Sequence, residues 1–368
     1  MRWLFLLMSV NEDHQVQNGC KKMLLEILHY QLMDGQQKWA PRLVDILSVL
    51  HNYGAALESL IPCNSSTLEI IRGKLVKEPG HIHQPGAGNI GMKTENLILV
   101  LQILAQCLNG PSGRYSPNDL SLLCVALCKA SLDTSIKHFC AKGAFQNCIT
   151  MVIRQYLDAD WLKERLKLTR MLVGITDHHH NNAHIAELLP PGARGMFIQR
   201  GFCYLVLSEI LLDRTNVSDE LLNSIKIKDM EKFIPKLKDV LEIDSYKLSS
   251  VVTLIDKCVG VNMTLNSEER GQLKCLLEKV RCVRVRDNVS MLDRTRVKDM
   301  IVRMTSKWAL DIQTMKGKQT KIFEYASPVK MHVEQVQATQ SSGEDDEQSD
   351  SDDDLPCKIQ KISPQINT

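Results

Sequence analysis

The sequence predicts an all-α protein, either an irregular α-solenoid of the HEAT-like kind or a helical bundle, followed by a disordered acidic C-terminal tail. Three observations predict it. Apolar residues recur at three- and four-residue spacing between Arg2 and Asp311, and helix start and stop residues punctuate that span. The composition, 44% apolar but only 5% aromatic, suits leucine-rich helix packing better than a sheet sandwich. At 368 residues the chain can bury a substantial core.

The elements follow in order. Trp3 to Val10 is an apolar helix that imitates a short signal sequence. Asn11-Glu12-Asp13-His14 follows it without a small-x-small cleavage site, so the expectation is a piece of a longer parent and not a secreted protein. Pro41 suits a first helical turn, and Leu43, Ile46, Leu47, Leu50, Leu57, Leu60 and Ile61 then form one buried stripe. Residues 62–93 carry Pro79, Gly80, Pro85, Gly86, Gly88 and Gly91, which predicts a surface loop enclosing a short helix near Leu68 to Leu75.

Thr94 is placed to cap a helix from Leu97 to Leu108, ended by Gly110-Pro111. Ser116-Pro117-Asn118-Asp119 combines a cap, a proline at the first position and an acid in the first turn, and leads into Leu120 to Ala130. Further helices are expected over Ser135 to Tyr156, Trp161 to Val173, Arg194 to Leu212 and Ser218 to Ile225. Ser245 caps Tyr246 to Val259, and Ser267-Glu268-Glu269-Arg270 opens a helix from Gln272 to about Arg284. The pairing suggests stacked helical repeats, although no fixed period emerges. From Ser327 onward the apolar period stops, which sets the expected boundaries: a helical domain over 1–326 and a tail over 327–368.

The net charge of +2 conceals two opposed clusters. Arg270 to Lys321 holds 14 Lys/Arg against 5 Asp/Glu, whereas Glu344 to Asp354 holds eight acids and no base. The twelve cysteines are sparse and lie mostly on apolar helical faces, as Cys124 and Cys128 do, so buried reduced thiols and a cytosolic or nuclear setting are expected. No segment approaches the roughly 20 apolar residues of a membrane-spanning helix, and no membrane partner is expected.

Several motifs invite chemistry. Gly86-Ala87-Gly88-Asn89-Ile90-Gly91 satisfies a dinucleotide fingerprint by letter, but Pro79 to Pro85 cannot supply the parallel strand that must precede it, so a loop is favoured over a nucleotide site. Asp177-His178-His179-His180 with His184 lacks an HExxH or paired-cysteine spacing. It reads as a polar loop between a helix ending at Val173 and one beginning near Ala183, and His81 and His83 are in similar company. No nucleophile, base and acid group together, so neither an enzyme nor a cofactor is expected.

The basic segment is the stronger candidate. Arg281, Arg284, Arg286, Arg294, Arg296, Lys298, Arg303 and Lys307 could neutralise phosphates in a weak, sequence-independent DNA contact, or dock an acidic partner. Only Trp308 lies nearby to stack on a base. In the tail, Ser341, Ser342, Ser349 and Ser351 each have an acid three residues on, the pattern read by acid-directed kinases, and Ser327-Pro328 and Ser363-Pro364 suit proline-directed ones.

Three blocks, Arg2-Trp3-Leu4-Phe5-Leu6-Leu7-Met8-Ser9-Val10, Trp39-Ala40-Pro41-Arg42-Leu43-Val44-Asp45-Ile46-Leu47 and Leu188-Leu189-Pro190-Pro191-Gly192-Ala193-Arg194, together resemble the CANIN domain. That domain is the conserved C-terminal region of the second localisation factor of the SMC five-six chromosome-maintenance complex, and a related paralogue also carries it. The resemblance covers most of residues 2 to 320. It implies a nuclear, non-enzymatic adaptor that pairs with a partner localisation factor, joins the SMC five-six complex, and helps bring that ATPase to DNA lesions or extrachromosomal DNA. The long polar N-terminal region of the family is absent here, and no interface residue transfers position by position.

Limited proteolysis should trim the chain from its C-terminal end to a product ending near residue 326 and leave the helical part intact. Early cleavage inside Leu97 to Leu108 would contradict the all-α reading.

Overall fold

Helices form wherever an apolar stripe meets a start signal, and the computed structural model contains no strand among its described residues. It describes residues 1–11, 13–33, 39–61, 90–110, 113–133, 139–240, 245–260, 265–282 and 291–314. The chain divides into two units, Met1–Lys318 and Gln319–Thr368, and all described residues belong to the first.

The helices are α1 (Arg2–Val10), α2 (His14–Met33), α3 (Leu43–Asn52), α4 (Leu57–Leu60), α5 (Ile90–Leu108), α6 (Pro117–Ala130), α7 (Phe139–Gln155) and α8 (Asp158–Val173). There follow α9 (His179–Leu188), α10 (Ala193–Leu212), α11 (Asp219–Asn223), a 3-10 turn (Ile227–Phe233), α12 (Ile234–Val240), α13 (Ser245–Val259), α14 (Ser267–Arg281) and α15 (Met291–Thr314). Neighbours succeed one another: α2 packs on α1 and α5, α5 on α7, α9 and α10 on α13, and α13 on α15. One apolar core runs from Leu43 to Trp308, and a smaller one gathers Phe5, Met8, Leu24 and Leu28 against Val100 and Ile103.

Several start signals act as the sequence predicts. Ser116 Oγ accepts the Asp119 N–H at 3.1 Å with Pro117 in the first turn, and Ser218 Oγ accepts the Leu221 N–H at 3.4 Å. Others fall elsewhere. Helix α5 begins at Ile90, so Thr94 lies inside it and not at its cap. Asn266, not Ser267, caps α14, exchanging hydrogen bonds with Glu269, and the helix ends at Arg281 and not near Arg284. The stripe through Leu43 to Ile61 is buried, but Gly54 at φ +95° breaks it into two helices. Helices α2, α12 and α15 were not individually legible. The predicted helix near Leu68 to Leu75 and residues 86–89 of the glycine motif lie outside the described residues, as does the tail.

Many connections among the described residues are short, so helix C-termini are buried with carbonyls that the helix itself cannot satisfy. Side chains of other helices supply the donors. Gln155 Nε2 donates to Leu108 O at 2.7 Å and Gly110 O at 3.0 Å, closing α5. Arg194 Nη1 donates to Ile153 O at 3.1 Å and Tyr156 O at 2.7 Å at the end of α7, its Nη2 reaches Asp158 at 2.5 Å, and its guanidinium lies 5.3 Å over the Trp161 ring. Gln199 Nε2 closes α9 through Ala186 O at 2.7 Å, and Arg200 closes α13 through Cys258 O and Val259 O, both at 3.2 Å.

A second junction holds the N-terminus. Asp45 is 1% exposed and accepts Arg2 Nε at 2.8 Å, Arg42 Nη2 at 3.1 Å and the Arg42 backbone N–H at 3.0 Å. Phe5 meets Trp39 edge-on at 5.9 Å beside it, and Tyr115 donates to Pro41 O at 2.6 Å. Burial pushes the Asp45 carboxyl up, but the hydrogen bonds from Arg42 and Arg2 outweigh it and hold the group below the usual carboxylate range.

A carboxyl whose pKa is lowered by folding contributes stability that is fully present above its unfolded value of about 3.9 and is lost as pH falls through the folded value. Thermal melts of the wild type should therefore drop below about pH 4 more steeply than those of Asp45→Asn, which lacks the titrating group. At neutral pH the variant should cost about 1–3 kcal/mol. Parallel acid limbs would show that Asp45 carries no such linkage.

Candidate partner-binding surfaces

The basic segment is only partly a free surface. Arg281 is exposed at the end of α14 and lies 3.3 Å from Glu278, one turn earlier. Arg284 and Arg286 lie outside the described residues, and Arg294 lies in the first turn of α15. Arg296, Lys298 and Arg303 are exposed along α15, with Arg303 at 3.7 Å from Asp299. Lys307 points elsewhere: its Nζ reaches both oxygens of Asp256 at 3.2 and 3.3 Å, and Trp308 Nε1 donates to the same carboxylate at 3.2 Å. Lys307 thus fastens α15 to α13, and Trp308 is fully buried and unavailable for stacking on a base. The six candidate serines, Ser327, Ser341, Ser342, Ser349, Ser351 and Ser363, lie outside the described residues.

The histidine run is helical, which corrects the polar-loop reading. His178 caps α9, accepting the His180 N–H at 3.3 Å, while His179 and His180 form its first turn and His184 lies within it. The imidazoles of His178 and His179 stack at 4.6 Å, Tyr246 of α13 lies 5.0 Å from each of His179 and His180, and His179 Nδ1 lies 3.0 Å from Ser250 Oγ. These contacts join two helices. Among the described residues, no group of three or more His, Cys, Asp or Glu side chains is placed to hold a metal ion.

The thiols divide by burial. Among the described residues, Cys20, Cys107, Cys124, Cys128, Cys148, Cys203 and Cys258 are buried and not disulfide-bonded, whereas Cys275 and Cys282 on α14 and its C-terminal cap are exposed. Burial pushes the Cys258 thiol up to about 12, far from a reactive thiolate. An open groove of about 560 Å³ lies against Lys163, Leu166, Lys167, Arg170, Met171 and Asp219, a lining with no nucleophile paired to a base.

The sequence reading missed the most apolar surface. Helix α2 buries Cys20, Leu24 and Leu28 against its neighbours, and its outer side carries Val16, Met23, Tyr30 and Met33. Met23 is 51% exposed, Tyr30 67% and Met33 72%; Trp3 on α1 is 69% exposed. Val16, Met23 and Tyr30 recur every seventh residue, and the alternate heptad position carries Gly19, Glu26 and Met33, so the outer side is an apolar stripe of coiled-coil spacing interrupted by Glu26. A Cβ added at Gly19 would meet nothing within 4 Å, which leaves the seam open there. The signal was available in that seven-residue repeat.

Comparison with known proteins is consistent with this picture of helical surfaces. The model of the Coiled-coil and Nse Interacting (CANIN) domain matches residues 1–217. The chain is 24% identical to the SMC5-SMC6 complex localization factor protein 2 of Danio rerio over 89% of this chain and 32% of the relative. It is 22% identical to the human protein of that name, over 89% of this chain and 31% of the relative. Protein FAM178B of Homo sapiens is 19% identical over 84% of this chain and 49% of its own length. The chain spans about a third of the length of the localization factors that it matches.

The split within the basic segment is testable. Lys307→Ala should lower stability by about 0.5–1 kcal/mol, the range for a partly exposed pair, while Arg296→Glu with Lys298→Glu should leave the melting temperature unchanged. Equal effects from both would mean that Lys307 is no anchor.

Proposed function

The chain belongs to the CANIN domain family, and from that premise we propose that it is a non-enzymatic adaptor that links a partner localisation factor to the SMC5-SMC6 complex and helps bring that complex to DNA lesions in the nucleus. The observation that carries this reading is the heptad seam of α2. An exposed apolar stripe on a helix that, among the described residues, packs chiefly along its other side is the surface an amphipathic partner helix covers. The relatives' names, which are those of localization factors, support the same reading.

Direct DNA contact is the second reading, and the exposure of Arg296 and Lys298 favours it. With Arg281 and Arg303 beside carboxylates and Lys307 engaged by Asp256, few described cations remain for phosphates. Binding through them would be weak and salt-sensitive.

Affinity purification of the full chain from nuclear extract should recover subunits of the SMC5-SMC6 complex with a partner factor. Met23→Asp with Tyr30→Asp, both at exposed positions, should lose the partner factor with the helical content unchanged by circular dichroism. Recovery of the same set by that variant would remove α2 as the interface, and recovery of no subunit by the wild type would remove the adaptor reading.

A further inference from the structure

Helix α15 is fixed in orientation by its inner side. Val297, Met304 and Trp308 are buried, and Trp308 and Lys307 share the Asp256 carboxylate. Helical geometry then sends Asp299, Val302, Ser306 and Leu310 outward on one line. Val302 is 60% exposed and Leu310 59%, two turns apart. Arg296 and Arg303 run along one margin of this line and Lys298 along the other, all exposed. Arg296 and Lys298 form no ion pair among the described residues, and the Arg303 contact with Asp299 is long and open to solvent.

We propose that this face docks an amphipathic acidic helix of a partner protein. Apolar side chains of that helix would cover Val302 and Leu310, while carboxylates on its two flanks meet Arg296, Arg303 and Lys298. The chemistry separates this occupant from its rivals. Nucleic acid offers phosphates but no apolar complement for the central line. A second copy pairing through the same face would set cation against cation. The excess of 14 Lys/Arg over 5 Asp/Glu from Arg270 to Lys321 favours an acidic partner before contact is made. The proposal rests on the adaptor reading and gives it a second surface of stated chemistry.

The test uses the full chain and a fluorescent synthetic peptide of about three heptads, with leucine at a and d and glutamate at e and g. The same peptide with lysine at e and g, and a short DNA duplex, are the comparison probes. The acidic peptide should bind and the lysine peptide should not. Val302→Asp with Leu310→Asp should weaken binding about tenfold or more, as should Arg296→Glu with Arg303→Glu. Val302→Ser with Leu310→Ser serves as the milder pair, and thermal melts verify that each variant is folded. Met23→Asp with Tyr30→Asp should leave the probe bound, so failure here and failure of the α2 interface are read separately. If removing Val302 and Leu310 leaves peptide affinity unchanged, or the duplex binds more tightly than the acidic peptide, the proposal is overturned.

Discussion

A protein made of helices joined by short turns must satisfy the carbonyls at the buried end of each helix, and this chain meets that constraint with long donors from other helices. Gln155, Arg194, Gln199 and Arg200 each reach the end of a different helix and close it. Leaving one such carbonyl unpaired would cost about 1–3 kcal/mol, comparable to a sizeable part of a domain's total stability. Three of the four, Arg194, Gln199 and Arg200, lie on α10 within a few residues of one another, which makes that helix a shared fixture for α7, α9 and α13. Its burial on nearly every side follows from this position: contrary to the expectation from the sequence, Ala193–Leu212 is long and apolar enough to cross a membrane, but 72% of its apolar window is buried, as in a core helix.

The same constraint explains what the three CANIN-like blocks are for. Arg2 of the first block pairs with Asp45 of the second, Phe5 of the first meets Trp39 of the second, and Arg194 of the third closes α7. They are junctions, placed where helices must be joined at a fixed angle. The outward sides of α2 and α15 take no part in that closure among the described residues.

How much of this was legible depended on range. Caps and one-sided stripes are local, so Ser116, Ser218 and the core stripe through Leu43 could be read directly. Helix α2 could not, because apolar residues on two of its sides blur the single stripe that periodicity detects. The start of α9, expected near Ala183, was hidden for another reason: its first turn is a run of histidine and asparagine with no apolar signal, and its cap is a histidine. The fate of Lys307 turned on Asp256, 51 residues away, a pairing that no local pattern announces. The polarity of the basic segment was plain in the sequence, but which of its cations face solvent was not.

The turn between α9 and α10 has a mechanical consequence. A Cβ at Gly195 would lie 2.2 Å from Pro190 O and 2.5 Å from Pro190 Cγ, so backbone meets backbone with no side chain between. The α9–α10 elbow therefore closes only around a missing side chain, and any larger residue at 195 would act as a wedge prising α10 from the Pro190 turn.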